Sequence, residues 1–172
     1  DARVNGEDAS LRNVEWSLKK MEWDNLFNYG ENNSINFEKL NGVVGVFGKN
    51  YSGKSSVIDS ALYTIYNSIS KNNRKNLNII NQNKQAGCGR VEIDIDGKAY
   101  IIERKSEKYK KKLHGEETDE AKTDVEFSMI DPATGEETSL NSLDRNGTDK
   151  EIRKIFGTID DFLLTSMSSQ MG

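Results

Sequence analysis

Residues Gly48 to Ser56 read GKNYSGKSS, which fits the pattern GxxxxGK[ST], and they lie between an apolar run, Val43 to Phe47, and a segment of helical periodicity. Nothing else in the chain constrains its fold so tightly, because a short motif of this kind has structural meaning only when a buried strand leads in and a helix leads out. Both flanks are present. Beyond Ser55 the apolar residues fall at Val57, Ile58, Ala61, Leu62, Ile65, Tyr66 and Ile69, the recurrence of a helix with one buried face. The helix is therefore expected to start at the loop. Its unpaired N-terminal amides and its dipole make that end an anion site, so the backbone from Ser52 to Ser56 should wrap phosphate oxygens, with Gly48 and Gly53 allowing close approach. Lys54 is expected to reach the β- and γ-phosphates of ATP as a mobile point charge. The Ser55 hydroxyl should complete the shell of a Mg²⁺ that keeps most of its waters, and Ser56 should add a further phosphate donor.

The length of 172 residues sets a prior of one domain with a real core, but only 34% of the residues are apolar and 30% are charged. Long hairpins and solvated loops are expected to extend from a modest core. The net charge of −4 gives no overall electrostatic case for nucleic acid, so any DNA surface must be a local patch. A lone cysteine, Cys88, excludes an internal disulfide and fits a reducing compartment. No apolar run approaches the about 18 residues of a membrane span, and DARVNGEDASLRN has no signal-peptide core. These features predict a soluble, intracellular protein without a membrane partner.

Residues 1–15 lack apolar periodicity and read as an N-terminal arm or remnant outside the fold, which leaves 16–172 as the folded lobe. Trp16 to Trp23 and Ser34 to Leu40 read as two strands around the turn-rich YGENN, followed by Val43 to Phe47 as a buried strand. The polar stretch from Lys71 to Gly89 reads as loop with a short helix. Arg90 to Asp96 alternates Val91, Ile93 and Ile95 inward, Asp96-Gly97 supplies a tight turn, and Ala99 to Arg104 returns. Val125 to Ile130 is a further strand, ended by DPATGEE. Thr148 and Glu151 form a capping box for a short helix that Gly157 closes, and LLTSMSSQMG reads as a strand ending at Gln170.

A nucleotide hydrolase also needs an acid at the end of a buried strand to hold Mg²⁺. No apolar run ends in Asp-Glu, and Asp94 and Asp131 lie in alternating strands where solvent is the natural neighbour. The cluster RKSEKYKKK, Arg104 to Lys112, could meet a DNA backbone, but GEETDEAKTD follows at once, which favours a charged, solvated hairpin tip with His114 on its surface.

The ordered set NLFNYG at Asn25 to Gly30, GKNYSGKSSVIDSAL, GKAYIIERK and FGTIDDFLLTSMSSQMG resembles the N-terminal half of an SbcC/Rad-type ATPase head, the coiled-coil DNA-repair branch of the ABC and SMC ATPases. The match covers about residues 18 to 172. It implies an α/β P-loop NTPase fold, an ABC/SMC-type head lobe with a mixed sheet and an antiparallel β-layer. It also implies that the coiled coil and a C-terminal half-head carrying the signature motif and the metal-binding acid lie elsewhere. By the resemblance Gln170 is the glutamine that contacts Mg²⁺ and the attacking water, and Asn50 faces the γ-phosphate. Asn28 with Tyr29 lies near the nucleotide, and Asn83, Lys84 and Gln85 approach ribose and base. Tyr51 stands where relatives carry glycine and Phe27 where several carry arginine. The partners implied are the chain's own C-terminal half, a second head joined around ATP, an SbcD/Mre-type nuclease and double-stranded DNA, which would place the protein with the nucleoid. Two other readings remain open: an SMC-, RecF- or RecN-like head that acts on DNA without a nuclease, and a small-molecule kinase using the same loop, against which the lack of acceptor-site acids or lid arginines speaks.

Overall fold

The computed structural model describes residues 16–37, 51–68 and 76–157. Among the described residues the frame is a six-stranded antiparallel sheet in the order β2-β1-β3-β4-β5-β6. β1 (Trp16–Asp24) turns back through the YGENN segment into β2 (Asn33–Asn36), with Met21 opposite Ile35. On its other edge β1 pairs with β3 (Ala86–Ile95), so the first hairpin and the later one fuse into a single sheet. The register of that pairing slips between Leu18 and Lys20, which leaves Lys19 as an extra residue. This bulge lets Leu18, Met21 and Trp23 all face the core although strict alternation would turn one of them outward.

β3 alternates as its sequence requires: Val91 and Ile93 are buried, and Asp96 (φ 53°) with Gly97 (φ 82°) makes the two-residue turn whose left-handed pair suits an Asp-Gly hairpin. β4 (Lys98–Leu113) and β5 (Glu116–Ile130) then form a ribbon much longer than the apolar pattern suggests, turned at His114 (φ 53°) and Gly115 (φ 82°). Its inner half is core, with Ile102 and Phe127 opposite each other, whereas its outer half carries charge on both faces. Lys110 to Asp119 is 3.0 Å and Lys112 to Glu117 is 3.9 Å, cross-strand pairs that settle the ribbon's tip as a solvated structure and leave His114 exposed on it. β6 (Glu137–Ser139) pairs with the end of β5.

Helix α1 (Tyr51–Tyr66) packs on β3 and β4. Val57, Ala61, Leu62, Ile65 and Tyr66 are buried as the periodicity predicts, and so are Tyr63, Ser60 and Thr64, so this helix is enclosed on more than one side. It approaches β3 closely because Gly89 has no side chain: a Cβ there would run into the Thr64 hydroxyl. α2 (Asn76–Ile79) is the short helix of the polar stretch, and β3 starts at Ala86, four residues before the apolar alternation begins. α3 (Arg145–Phe156) packs on β5 and α1, with Phe156 meeting Tyr100 and Phe127 at ring centroids of 5.9 Å each. The expected capping box is not the start of this helix. Asp144 is the N-cap, its carboxylate accepting from Gly147 N at 2.8 Å, while Thr148 lies buried one turn in and accepts from Ser142 N at 2.9 Å. Gly157 (φ 79°) caps the other end as expected.

The α/β class and the antiparallel β-layer agree with the sequence reading. The apolar run 43–47, expected to supply the further strand of a mixed sheet, lies outside the described residues, as do 1–15, Leu40, Ile69 and 158–172.

Arg104 is the element no composition argument anticipates. It is not part of a surface cation cluster: it is fully buried. Its Nε donates to Thr64 O at 3.0 Å and Nη2 to Ile65 O at 3.2 Å, while Nη2 and Nη1 reach the two Asp149 oxygens at 2.7 and 3.4 Å. The reason is parity, since Ile102, Arg104 and Ser106 share the inward face of β4. A buried charge left alone by loss of its partner costs about 3–5 kcal/mol, whereas replacing both members by well-packed apolar residues is often nearly neutral. Asp149→Ala should therefore lower unfolding stability by about 3–5 kcal/mol, and Arg104→Met with Asp149→Leu should lose clearly less. Urea unfolding of the single and double variants checks this; equal losses would mean that the charges are not coupled.

Candidate functional site

Helix α1 is fixed at its C-terminal end. Carbonyls in the last turn of a helix lack intrahelical partners, and here Thr64 O and Ile65 O are taken by the Arg104 guanidinium. A cation at that end also opposes the negative pole of the helix dipole. Asn67 (φ 56°) completes the cap, its amide donating to Tyr63 O at 2.8 Å. A chain of buried hydrogen bonds runs beside it: Tyr63 OH to Ser106 Oγ at 2.6 Å, Ser106 Oγ to Thr123 Oγ1 at 2.7 Å, and Asn76 Nδ2 to Thr123 Oγ1 at 2.6 Å and to Asn67 Oδ1 at 2.9 Å. Burial pushes the Tyr63 phenol up to about 12, so it stays protonated and serves this network as a neutral group.

At the opposite end, Ser52, Gly53, Lys54, Ser55 and Ser56 fall within the first turns of α1, and no carboxylate occupies its first turn to compete with a bound anion. Helix α1 is described from Tyr51, and the residues of the loop before it lie outside the described residues. Gly48, Asn50 and Gln170 lie outside the described residues.

The remaining candidates sit on two loops that are stitched together. Asn25 N donates to Gly30 O at 2.8 Å and Tyr29 N to Leu26 O at 2.9 Å, closing the first loop on itself. Phe27 N donates to Ile79 O at 2.7 Å, Asn81 N to Asn25 O at 2.8 Å, and Asn81 Nδ2 to Tyr29 O at 2.9 Å. Asn25 and Phe27 both have positive φ (56° and 55°), a cost of this tight path that asparagine bears more readily than phenylalanine. The result is a cleft of about 570 Å³ lined by Phe27, Asn28, Ile80, Gln82, Lys108 and Asp119, among others. Asn28 thus reaches a cavity. Asn83 and Lys84 do not line it; Asn83 N and Lys84 N both bond to Asn81, at 2.9 Å each, which places the two residues on the exposed tip of the turn. Gln85 pairs with Lys108 instead, Nε2 to the carbonyl at 2.7 Å. Lys108 Nζ is held by the carbonyls of Asn81 and Gln82 at 3.3 Å each.

Neither acid considered for a metal is placed to hold one with partners: Asp131 is exposed and its carboxylate accepts from Ala133 N at 2.8 Å, and no group of three potential ligands occurs among the described residues. Among those residues no helix is long and apolar enough to cross a membrane. Cys88 is half-buried and its Sγ faces Asp24 Oδ2 at 3.5 Å. Burial, then the Asp24 carboxylate, raises its thiol to about 11. The sequence reading missed the Arg104 and Asp149 pair; the available signal was that Arg104 continues the inward alternation of Ile102.

The family described as AAA domain matches residues 20–171 of this chain. Uncharacterized protein R555 of Acanthamoeba polyphaga mimivirus is 31% identical over 166 residues, covering 94% of this chain and 12% of that protein. The SbcC component of the SbcCD nuclease of Clostridium acetobutylicum is 28% identical over 151 residues, 84% of this chain and 12% of its own length. The DNA double-strand break repair Rad50 ATPase of Sulfolobus acidocaldarius is 28% identical over 87 residues, 51% of this chain and 10% of that one. The chain therefore spans about a tenth of the length of these relatives.

The raised thiol has a direct chemical consequence, because only the thiolate is nucleophilic. At pH 8 a group titrating near 11 is ionised to about one part in a thousand, against roughly a quarter for a free cysteine. Alkylation of Cys88 by iodoacetamide should be on the order of a hundredfold slower in the folded chain than in urea, should accelerate up to about pH 11, and should speed up in Asp24→Asn. Equal rates folded and unfolded at pH 8 would contradict the assignment.

Proposed function

The chain belongs to the AAA domain family, and on that premise we propose that it is the ATP-binding lobe of an ABC/SMC-class ATPase head that acts on DNA. The observation that carries this reading is the continuous family match from residue 20 to 171, which takes in the first hairpin, the phosphate-loop motif and the segment containing Gln170 in one alignment. The similarity to the Rad50 ATPase and to the SbcC component supports a role in DNA repair or recombination. A head that works on DNA structurally, in the manner of SMC, RecF or RecN proteins, needs no more than these observations. Gating of an SbcD/Mre-type nuclease is the second reading, favoured by the similarity to a component of the SbcCD nuclease. Co-purification of a metallophosphoesterase with the full-length protein separates the two.

The donor set at the start of α1 fits ATP and Mg²⁺: a helix N-terminus without carboxylates, a lysine and a run of serines. In this reading Gly48, Ser52, Gly53 and Ser56 hold phosphate oxygens through backbone and hydroxyl groups, Asn50 faces the γ-phosphate and Lys54 neutralises the terminal phosphates. Ser55 and Gln170 would hold Mg²⁺, whose charge offsets that of the phosphates. Asn28, Asn83 and Lys84 are assigned to the nucleoside side. The acid that polarises water and a signature motif would come from the C-terminal half of the head, and a second head would close each nucleotide.

Lys54→Ala should remove most Mg·ATP affinity, since a helix N-terminus without its lysine leaves the terminal phosphates poorly neutralised. Calorimetry on the wild type and variant checks this, and equal affinities would sink the phosphate-loop assignment.

The 172-residue chain alone should turn ATP over negligibly, because positioning and electrostatic stabilisation supply nearly all the rate in phosphoryl transfer. In a head completed by its C-terminal half, Gln170→Ala should lower turnover more than ATP affinity. Steady-state hydrolysis by the chain alone that disappears in Lys54→Ala would refute the half-site reading.

A further inference from the structure

The exposed side of α3 and the C-terminal end of α1 enclose a second cleft, of about 290 Å³, lined by Asn67, Arg145, Asn146, Asp149, Lys150 and Arg153 among others. Arg145, Lys150 and Arg153 are exposed. Among the described residues none of the three pairs with a carboxylate. Among the described residues that line the cleft the one acid, Asp149, is bound by the buried Arg104 guanidinium at 2.7 Å. Its charge is cancelled from below, which leaves the mouth of the cleft cationic on a chain whose net charge is −4. Arg145 is also oriented: its Nη1 donates to Thr123 O at 3.3 Å, and its other donors are available to an anion.

We propose that this cleft, through Arg145, Lys150 and Arg153, holds the phosphodiester backbone of double-stranded DNA. The inference rests on the reading above that the head acts on DNA, and it names the surface. Charge complementarity carries it. From Arg145 to Arg153 the helix rises about 12 Å, over which a duplex presents on the order of seven phosphate charges. Of the lysines of the β4–β5 ribbon, Lys108, Lys110 and Lys112 compete poorly for that role, because Lys110 and Lys112 are matched by Asp119 and Glu117 and Lys108 is held by two carbonyls. The Asp119 carboxylate beside Lys110 holds its ammonium above the ordinary lysine value. The cleft lies at the C-terminal end of α1, about 24 Å along the helix from its first described turn, which carries Lys54 and Ser55. DNA and nucleotide therefore do not compete for space.

The test is fluorescence anisotropy of a labelled DNA duplex with the whole chain across a salt series. Replacing Arg145, Lys150 and Arg153 by Gln should weaken binding and reduce the slope of log K against log salt by about 0.9 per lost phosphate contact, with ATP binding retained. Lys150→Glu alone, at a solvent-exposed position, should weaken binding in the same direction and guards against a folding defect in the triple variant. Replacing Lys110, Lys111 and Lys112 by Ala should leave affinity and slope unchanged. Wild-type affinity and slope in the α3 variants, or a loss confined to the ribbon variant, would overturn this surface while leaving the DNA reading in place. Absence of salt-dependent DNA binding by the wild-type chain would overturn both.

Discussion

A guanidinium taken out of water needs acceptors on nearly every side, and the way Arg104 obtains them organises the structure around it. It projects inward from β4, takes two carbonyls of the last turn of α1 and closes on the Asp149 carboxylate of α3. Three elements distant in sequence are thereby tied at one point. Such a pair contributes little net stability relative to an apolar substitute, since the desolvation of both charges offsets their attraction. Its effect is positional. With the C-terminal end of α1 fixed, the positive pole of its dipole lies at the other end, where the lysine and serines of the glycine-rich motif fall.

The same pair links two surfaces of different character. Asp149 belongs to the lining of the α3 cleft, so the group that anchors the phosphate-loop helix also sets the charge of the surface assigned to DNA. Any coupling between the two sites must act equally in both directions on binding. The long ribbon has a different logic. Its outer half has no core to bury, so it is held by backbone pairing and cross-strand charges, and this accounts for much of the polar composition.

Most of the architecture was legible in the residues because local chemistry determined it. The alternation of Val91, Ile93 and Ile95, the Asp-Gly turn, the apolar stripe from Val57 to Tyr66 and the closing glycine at position 157 each rest on spacing within one element, and each is found where it was expected. The two hairpins around YGENN and Asp96-Gly97 were equally plain. Their fusion into one sheet through β1 and β3 was not, because pairing between remote strands leaves no local mark.

The sequence by itself determined the apolar inner strands, the helical stripe from Val57 to Tyr66, and which family the ordered motifs resemble; the charged outer half of the β4–β5 ribbon and β6 carry no apolar alternation and took their form from strand pairing. Tertiary structure decided the fate of charge. Arg104 stands in a run of cations and reads as surface, yet one step of strand parity carries it into the core, where the Asp149 carboxylate, 45 residues away, answers its charge. Thr148 reads as a cap, yet Asp144 takes that place because packing against β5 and α1 extends the helix to Arg145. Asn28 and Gln82, 54 positions apart in the numbering, share a cleft only because backbone hydrogen bonds join their loops. Periodicity encodes burial within an element. The partner of a buried polar group is set by what packs on that element, and that information exists only once the chain has closed on itself.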